Sequence, residues 1–361
     1  MQLWLLSGTK NDEVQIVDEL KTIEDVARFQ VEPDRPFYSA GHEEIMSGAT
    51  SDIYFIKTRE ILEKTGAGDT PVTAEVFGQR PGILAGTGEV RALLAGRGLS
   101  IEALPEGSAF GAKEVVMRIR GPYNAFGIYE TVLLGMLASS SGWATATREA
   151  VEAADGRDVF SFGARHVHPA VAPVLERAAL LGGAAGASCI LAAKLAGREP
   201  VGTVPHAMFL VLGDTLTGAL AYHEHMPEGQ KRLFLVDTFQ DEAVESLRLA
   251  QAMGSALDGV RLDSPSERGG VTPGLVREVR ARLDGAGHSH VKIFVSGGLS
   301  PERIRLLGEA GADAFGVGSH ISGASPIDMT MDLKEIGGVA VAKRGRIPGV
   351  TPTDRLVAWE D

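Results

Sequence analysis

Arginine, histidine and aspartate recur in this chain where a short apolar run gives way to a helical stretch. Arg165, His166 and His168 close "DVFSFGARHVHP", and His206 follows "EPVGTVP". Asp237 and Thr238 end "RLFLVDT", and Asp263 and Ser264 end "GVRLDS". Two glycine-rich turns come next: "VSGG", with Ser296, Gly297 and Gly298, and "GVGSH", with Gly316, Gly318, Ser319 and His320. Such turns offer backbone N–H groups and a helix N-terminus to an anion. As an adjacent pair they predict a phosphorylated ligand. Arg165 suits a carboxylate, because its planar fork matches two oxygens. The two together point to a ligand with two anionic ends. Asp237 and Asp263 fall between these poles, where carboxylates stabilise a sugar cation or hold hydroxyls and Mg²⁺. A lone His206 reads as a packed core histidine. In company with the other run ends it reads as functional.

The elements that must position these residues follow from the pattern. From about residue 157 onward, short β-like runs alternate with amphipathic helices. "DVFSFG", "GASCI", "EPVGTVP", "RLFLVDTF", "GVRLDS", "KIFVSGG" and "DAFGVGS" are each read as a strand, and all but the last lead into a helix. That is the texture of successive βαβ units, and so many in a row favour a barrel-like, irregular closure. In such a barrel the chemistry sits at the C-terminal strand ends, where the polar residues fall. Upstream, "VTAEVF", "SIEALP" and "EVVMRIR" alternate with a helix around "GTGEVRALLAG", predicting a small α+β domain. A helix beginning near Ser51 or Asp52 precedes it, and a long one covers "FGIYETVLLGMLASSSGWATATREAVEAA". The expected boundaries are an extension over 1–36, with a helical pattern in "DELKTIEDVARF", an α/β sandwich over 37–125 and the barrel over 126–330. Strands over 331–361 return to the first domain.

The chain has 361 residues and a net charge of −12, which argues against a nucleic-acid surface and against anionic membranes. Its one cysteine, Cys189, excludes an internal disulfide and a cysteine-based zinc site, and reads as buried packing. The first residues, "MQLWLLSG", are too short for a spanning helix and lack a basic flank, so a cytoplasmic protein is expected.

Taken together, "SFGARHVHP", "LGGAAGASCILAAKLAGREPVGTVPHAM", "VDTF", "GVRLDS", "VSGGLS" and "GVGSH" resemble nicotinate phosphoribosyltransferases in content and order, as do "TSDIYF" and "RGPYNAFGIYET". The resemblance covers roughly 37–350 and looks closest to the shorter, archaeal-like members. It implies a type II phosphoribosyltransferase architecture: an N-terminal α/β sandwich and an irregular α/β (TIM-like) barrel, in a homodimer or higher homo-oligomer with shared sites. It also implies nicotinate and phosphoribosyl pyrophosphate as substrates, with Mg²⁺, and ATP as co-substrate or activator through a phosphorylated histidine.

By position, that histidine falls on His206. Arg165 matches the arginine facing the nicotinate carboxylate, and Tyr54 an aromatic that stacks on the pyridine from the neighbouring subunit. "VSGG" (Ser296, Gly297, Gly298) and "GVGS" (Gly318, Ser319) match the 5′-phosphate turns. "LDS" (Asp263, Ser264), and more loosely "VDT" (Asp237, Thr238), match ribose and pyrophosphate contacts. Lys57, one turn after Tyr54, and Arg118 are further candidates for the pyrophosphate, against a plain surface-charge reading. Two departures stand out. His166 occupies a position where members often carry a second arginine, and the cysteine-rich knuckle of some shorter members is absent. Three other readings compete. A quinolinate phosphoribosyltransferase would need more positive charge and would release CO₂. A metal-dependent barrel hydrolase would use His166 and His168 on one strand face with His206 and Asp263. A ligand-sensing relative would bind without turnover.

Overall fold

The computed structural model describes residues 19–31, 35 and 38–360. Five strands precede a long helix: β1 (Pro71–Gly78), β2 (Gly82–Ile83), β3 (Ser100–Ala103), β4 (Ala109–Phe110) and β5 (Val115–Pro122). Six follow it: β6 (Asp158–Ser161), β7 (Gly186–Ala187), β8 (Leu233–Leu235), β9 (Gly259–Leu262), β10 (Lys292–Ser296) and β11 (Ala314–Val317). The chain ends with β12 (Met329–Ile336), β13 (Val339–Ala340) and β14 (Val357–Ala358). Among the described residues these make two six-stranded sheets, β13-β12-β1-β5-β3-β14 and β7-β6-β11-β10-β9-β8, and a β2–β4 ladder.

The first sheet is antiparallel. Val72, Ala74 and Val76 of β1 pack into a core with Phe126, Leu133 and Leu137. Strand β12 takes over at 329, so the return to the first domain begins just before the expected boundary at 330. Of the expected extension, residues 1–18 lie outside the described residues. Residues 32–34 and 36 lie outside them too; within 19–31 stands a short helix, Ile23–Arg28, with a capping box on Thr22 and Asp25. Glu19 fastens this segment to the first domain through ion pairs with Arg59 and Arg97.

The second sheet is parallel throughout. It does not close: β7 and β8 form its two edges. "EPVGTVP", expected as the strand between them, runs there as irregular backbone. Its Val201 N–H reaches the Ala187 carbonyl at 2.9 Å. Pro200 and Pro205 have no N–H to extend a ladder, and Gly202 brings no side chain to pack. The segment after His206 also differs from expectation. One helix becomes two, His206–Leu212 and Thr215–His225, split by Gly213 at φ 80° and by the cap that Asp214 gives Thr217 N–H.

Helix Glu130–Ala153 joins the domains, giving Val132, Leu133 and Leu137 to one core and Ala150 and Ala153 to the other. Its middle is small because neighbours come close. A Cβ on Gly142 would meet the Ser325 carbonyl oxygen at 2.6 Å. No helix among the described residues is long and apolar enough to cross a membrane.

Candidate functional site

One cleft at the C-terminal ends of β6, β9, β10 and β11 is lined by Arg165, His166, Asp263, Ser296, Gly297, Gly298, Gly318 and Ser319. Its volume is about 100 Å³, the scale of a phosphate group rather than of a nucleotide. Phe162, Arg261 and Gly316 complete the lining. Arg165 and His166 sit on a 3₁₀ turn, Ala164–His166, just past β6. "HVH" is therefore not a strand face. His166 Nδ1 lies 2.9 Å from Ser322 Oγ, while His168 Nδ1 accepts the Ala170 N–H. Among the described residues no three His, Cys, Asp or Glu side chains are grouped to hold a metal ion.

The glycine turns are built around these side chains. A Cβ on Gly318 would meet His166 Cε1 at 2.7 Å, and one on Gly316 would meet the Phe162 ring at 2.5 Å. Gly297 has φ 89° and Gly298 φ 59°, a region that favours glycine. Gly298 faces open space, with nothing within 4 Å of a Cβ. Ser319 is exposed and opens a one-turn helix.

Arg261 was not among the expected site residues. Its guanidinium donates from Nε to Ser296 Oγ at 2.8 Å, from Nη1 to Thr203 Oγ1 at 2.7 Å and from Nη2 to Asp263 Oδ2 at 3.3 Å. It also lies 5.2 Å over the Phe162 ring. Ser296 in turn donates to Asp263 Oδ1 at 2.7 Å, closing a ring of three side chains. Burial pushes the Arg261 pKa below its ordinary value, against the pull of Asp263 and Asp237, and nearby Arg165 adds to the lowering. The available signal was parity. Arg261 and Asp263 are two residues apart and so share a strand face, and a charged residue inside a four-residue apolar strand needs a partner.

Beside this ring, His206 Nε2 and Asp237 Oδ1 are 3.0 Å apart, the histidine 37% and the aspartate 1% exposed. Asp237 Oδ2 and the neighbouring Thr238 Oγ1 are buried and have no hydrogen-bond partner among the described residues. Burial raises the Asp237 pKa; His206 pulls it back in part, and Asp263 adds to the rise.

Other expected residues lie elsewhere. Ser264 has the opposite parity from Asp263 and points out of the barrel, donating to Glu242 Oε1 at 2.6 Å. Arg118 is neither at the cleft nor on the surface. It is 7% exposed and ion-paired with Glu75 and Glu102 on the first sheet, where it also donates to the Thr351 carbonyl. Tyr54 and Lys57 are exposed on helix Ile53–Lys64 and do not line the cleft of their own chain. Asp52 stands at the cap position of that helix but does not cap it with its side chain. Instead it accepts from Tyr54 Oη at 3.0 Å and Thr131 Oγ1 at 2.9 Å. Cys189 is half-buried rather than buried.

An antiparallel α/β domain joined to an incomplete parallel barrel, with a phosphate-sized cleft at the strand ends, is the architecture of a type II phosphoribosyltransferase. The N-terminal domain model of quinolinate phosphoribosyl transferase matches residues 52–141, and the C-terminal domain model matches 143–332. The chain belongs to this family and is a phosphoribosyltransferase. It is similar to the nicotinate-nucleotide pyrophosphorylase of Pyrococcus furiosus, with 44% identity over 88% of this chain and 82% of that one, at a TM-score of 0.84. A nicotinate phosphoribosyltransferase of Mycobacterium tuberculosis is 28% identical over 341 residues, 82% of this chain and 75% of the relative. Human nicotinic acid phosphoribosyltransferase shares the fold, with a TM-score of 0.67 and 18% identity over 83% of this chain and 77% of that one.

Proposed function

We propose that the chain joins nicotinate to phosphoribosyl pyrophosphate, giving nicotinate mononucleotide and pyrophosphate. The observation that carries the reading is the division of labour between two arginines. Arg261 is engaged through all three of its nitrogens by Ser296, Thr203 and Asp263, whereas Arg165 is exposed at the cleft and makes no hydrogen bond or ion pair among the described residues. One free guanidinium matches the single carboxylate of nicotinate. The name of the Mycobacterium tuberculosis relative, a nicotinate phosphoribosyltransferase, supports it; that of the Pyrococcus furiosus relative names the nucleotide that both reactions form.

In this reading the pyridine lies against Phe162 with its carboxylate on Arg165, and the 5′-phosphate occupies the turns at Gly297–Gly298 and Gly318–Ser319. The ring nitrogen attacks the anomeric carbon as the bond to pyrophosphate breaks. It has no proton to lose, so positioning rather than a general base accelerates the step. Asp263, held by Arg261 and Ser296, presents its charge to the developing sugar cation. Mg²⁺ fits the donors present: it binds through one or two carboxylates plus substrate phosphates, and Asp237 Oδ2 is a buried oxygen without a partner near Asp263. When bound with pyrophosphate it supplies neutralisation of the leaving charge. Tyr54 and Lys57, away from the cleft of their own chain, are taken to complete the site of a second copy in a homodimer.

ATP stimulation through His206 belongs to the same proposal. With Nε2 donating to Asp237, the Nδ1 lone pair is the free nucleophile. The γ-phosphoryl group passes to Nδ1 with release of ADP, and water later takes it as phosphate.

A second reading, quinolinate as substrate with loss of CO₂, is favoured by the description of both family models. The deciding experiment measures pyrophosphate and CO₂ release from phosphoribosyl pyrophosphate with nicotinate, nicotinamide or quinolinate, each with and without ATP. Turnover with nicotinate is expected. CO₂ release with quinolinate, and no turnover with nicotinate, would overturn the proposal.

A further inference from the structure

Helix Ala172–Gly182, behind the cleft, carries a glutamate that no step above uses. Glu176 is 0% exposed. Its hydrogen-bond partners are all neutral donors, and they belong to two turns. From the first turn Oε1 accepts the Gly163 N–H at 3.0 Å, the Ala164 N–H at 3.3 Å and Ser161 Oγ at 3.2 Å. From the second, Oε2 accepts the Cys189 N–H at 2.6 Å, and Ser188 Oγ reaches Oε1 at 3.0 Å. A carboxylate in the interior is costly unless its oxygens are met by donors, and bonds to an ionised acceptor are the stronger ones. Here it clamps the C-terminal ends of two neighbouring strands, β6 and β7, to one helix.

The first turn is the one that bears Phe162 and Arg165. Gly163 lies so close to the helix that a Cβ would meet Leu175 Cδ2 at 2.9 Å. We infer that Glu176 is a positioning residue: it sets the backbone of residues 161–164 and thereby the aim of Arg165 and Phe162 at the pyridine acid. The inference rests on the reading that Arg165 holds the substrate carboxylate. Neither phosphate turn makes a hydrogen bond to Glu176; the turn at 318–319 touches the first turn through the Phe162 carbonyl and His166, so the larger change is expected at the pyridine acid and the smaller at the phosphate.

The chemistry of the amide isostere makes a sharp test. Glutamine has one acceptor oxygen. If that oxygen faces Gly163 and Ala164, the NH₂ is aimed at the Cys189 N–H, donor against donor. If it faces Cys189, the first turn loses its acceptor.

The experiment compares the full chain with Glu176→Gln by amide hydrogen exchange and by steady-state kinetics. Exchange at 163–165 or at 189 is expected to speed up by about ten-fold or more, with 296–298 unchanged. The KM for nicotinate is expected to rise about ten-fold or more while the KM for phosphoribosyl pyrophosphate stays within about three-fold. Glu176→Asp, which keeps the charge and shortens the reach, should fall between. Should Glu176→Gln fail to fold, Ser161→Ala removes one donor and keeps the N–H bonds, and should shift the same quantities by about two- to five-fold. Unchanged exchange at both turns overturns the inference. So does an equal rise of both KM values with a lowered melting temperature. If the unsubstituted chain turns over no nicotinate, the functional reading fails, and exchange alone then decides whether Glu176 positions the turn.

Discussion

His206 Nε2 meets Asp237 Oδ1 at 3.0 Å across the seam where the parallel sheet stops, joining the helix after the irregular segment to the end of β8. The aspartate is the buried partner, and its second oxygen has none. Asp237→Asn retains an oxygen that can accept from His206 and removes the charge. We expect kcat to fall by about 10–100-fold with little change in the nicotinate KM. Asp237→Ala, which also frees the ring, should cost more. Steady-state kinetics with and without ATP check both, and an Asn variant with full kcat would remove the charge from the mechanism.

Arg165 carries no hydrogen bond or ion pair among the described residues, so truncating it orphans no partner there. Arg165→Ala should raise the nicotinate KM by tens- to a thousand-fold, on the order of 2–4 kcal/mol, with a normal melting temperature. Lysine there should recover part of the loss, because a point charge does not reproduce the two-oxygen fork. An unchanged KM would take Arg165 out of the clamp.

Arg118 makes the opposite prediction. It is 7% exposed beside Glu75 at 2%, and Arg118→Ala leaves that buried carboxylate without its cation, with the Thr351 N–H and hydroxyl still donating to it. Denaturant unfolding should show a loss of about 3–5 kcal/mol. The substrate KM values of the folded fraction should hold. A rise in the phosphoribosyl pyrophosphate KM without destabilisation would return Arg118 to the pyrophosphate.

Glu130, at the start of the linking helix, has its pKa raised from 4.5 to about 7, chiefly by burial, with Lys343 opposing and Asp332 reinforcing the rise. The folded chain therefore holds this proton more tightly than the unfolded chain does. The contribution is present below pH 4.5 and is lost as pH rises from 4.5 to about 7. Its full span is on the order of 3 kcal/mol. Glu130→Gln should flatten that part of the stability profile, measured by denaturant unfolding across the window. A profile that stays as steep would assign the slope to other groups.

Much of the barrel was legible because a strand followed by a helix leaves a local signature, and the residues at each junction are contiguous in the chain. Asp263, Ser296, Gly297 and Gly318 could be placed together on that ground alone. Arg261 could not, since it is set inside its strand rather than at the junction, and only counting by twos from Asp263 would have turned it inward. The same parity turns Ser264 away. Arg118 escaped for a different reason. The tail that covers it, at Thr351, is far along the chain, and no local pattern announces such a cover. The missing strand over 199–205 is a case of β-like composition defeated by two prolines, whose effect depends on whether neighbours need their N–H groups.

The open seam has a consequence for mechanics. A fully laddered barrel is a hoop whose girth is fixed by its hydrogen bonds, so widening it means breaking some. This one is a split ring. Its end strands, β7 and β8, are not laddered to each other; the segment between them is held to β7 by the Val201 N–H, to β9 by Arg261 on Thr203 and to the end of β8 by His206 on Asp237. Side-chain and single backbone bonds, rather than a continuous ladder, therefore set the girth at this one sector, and a change in the mouth would fall first on them.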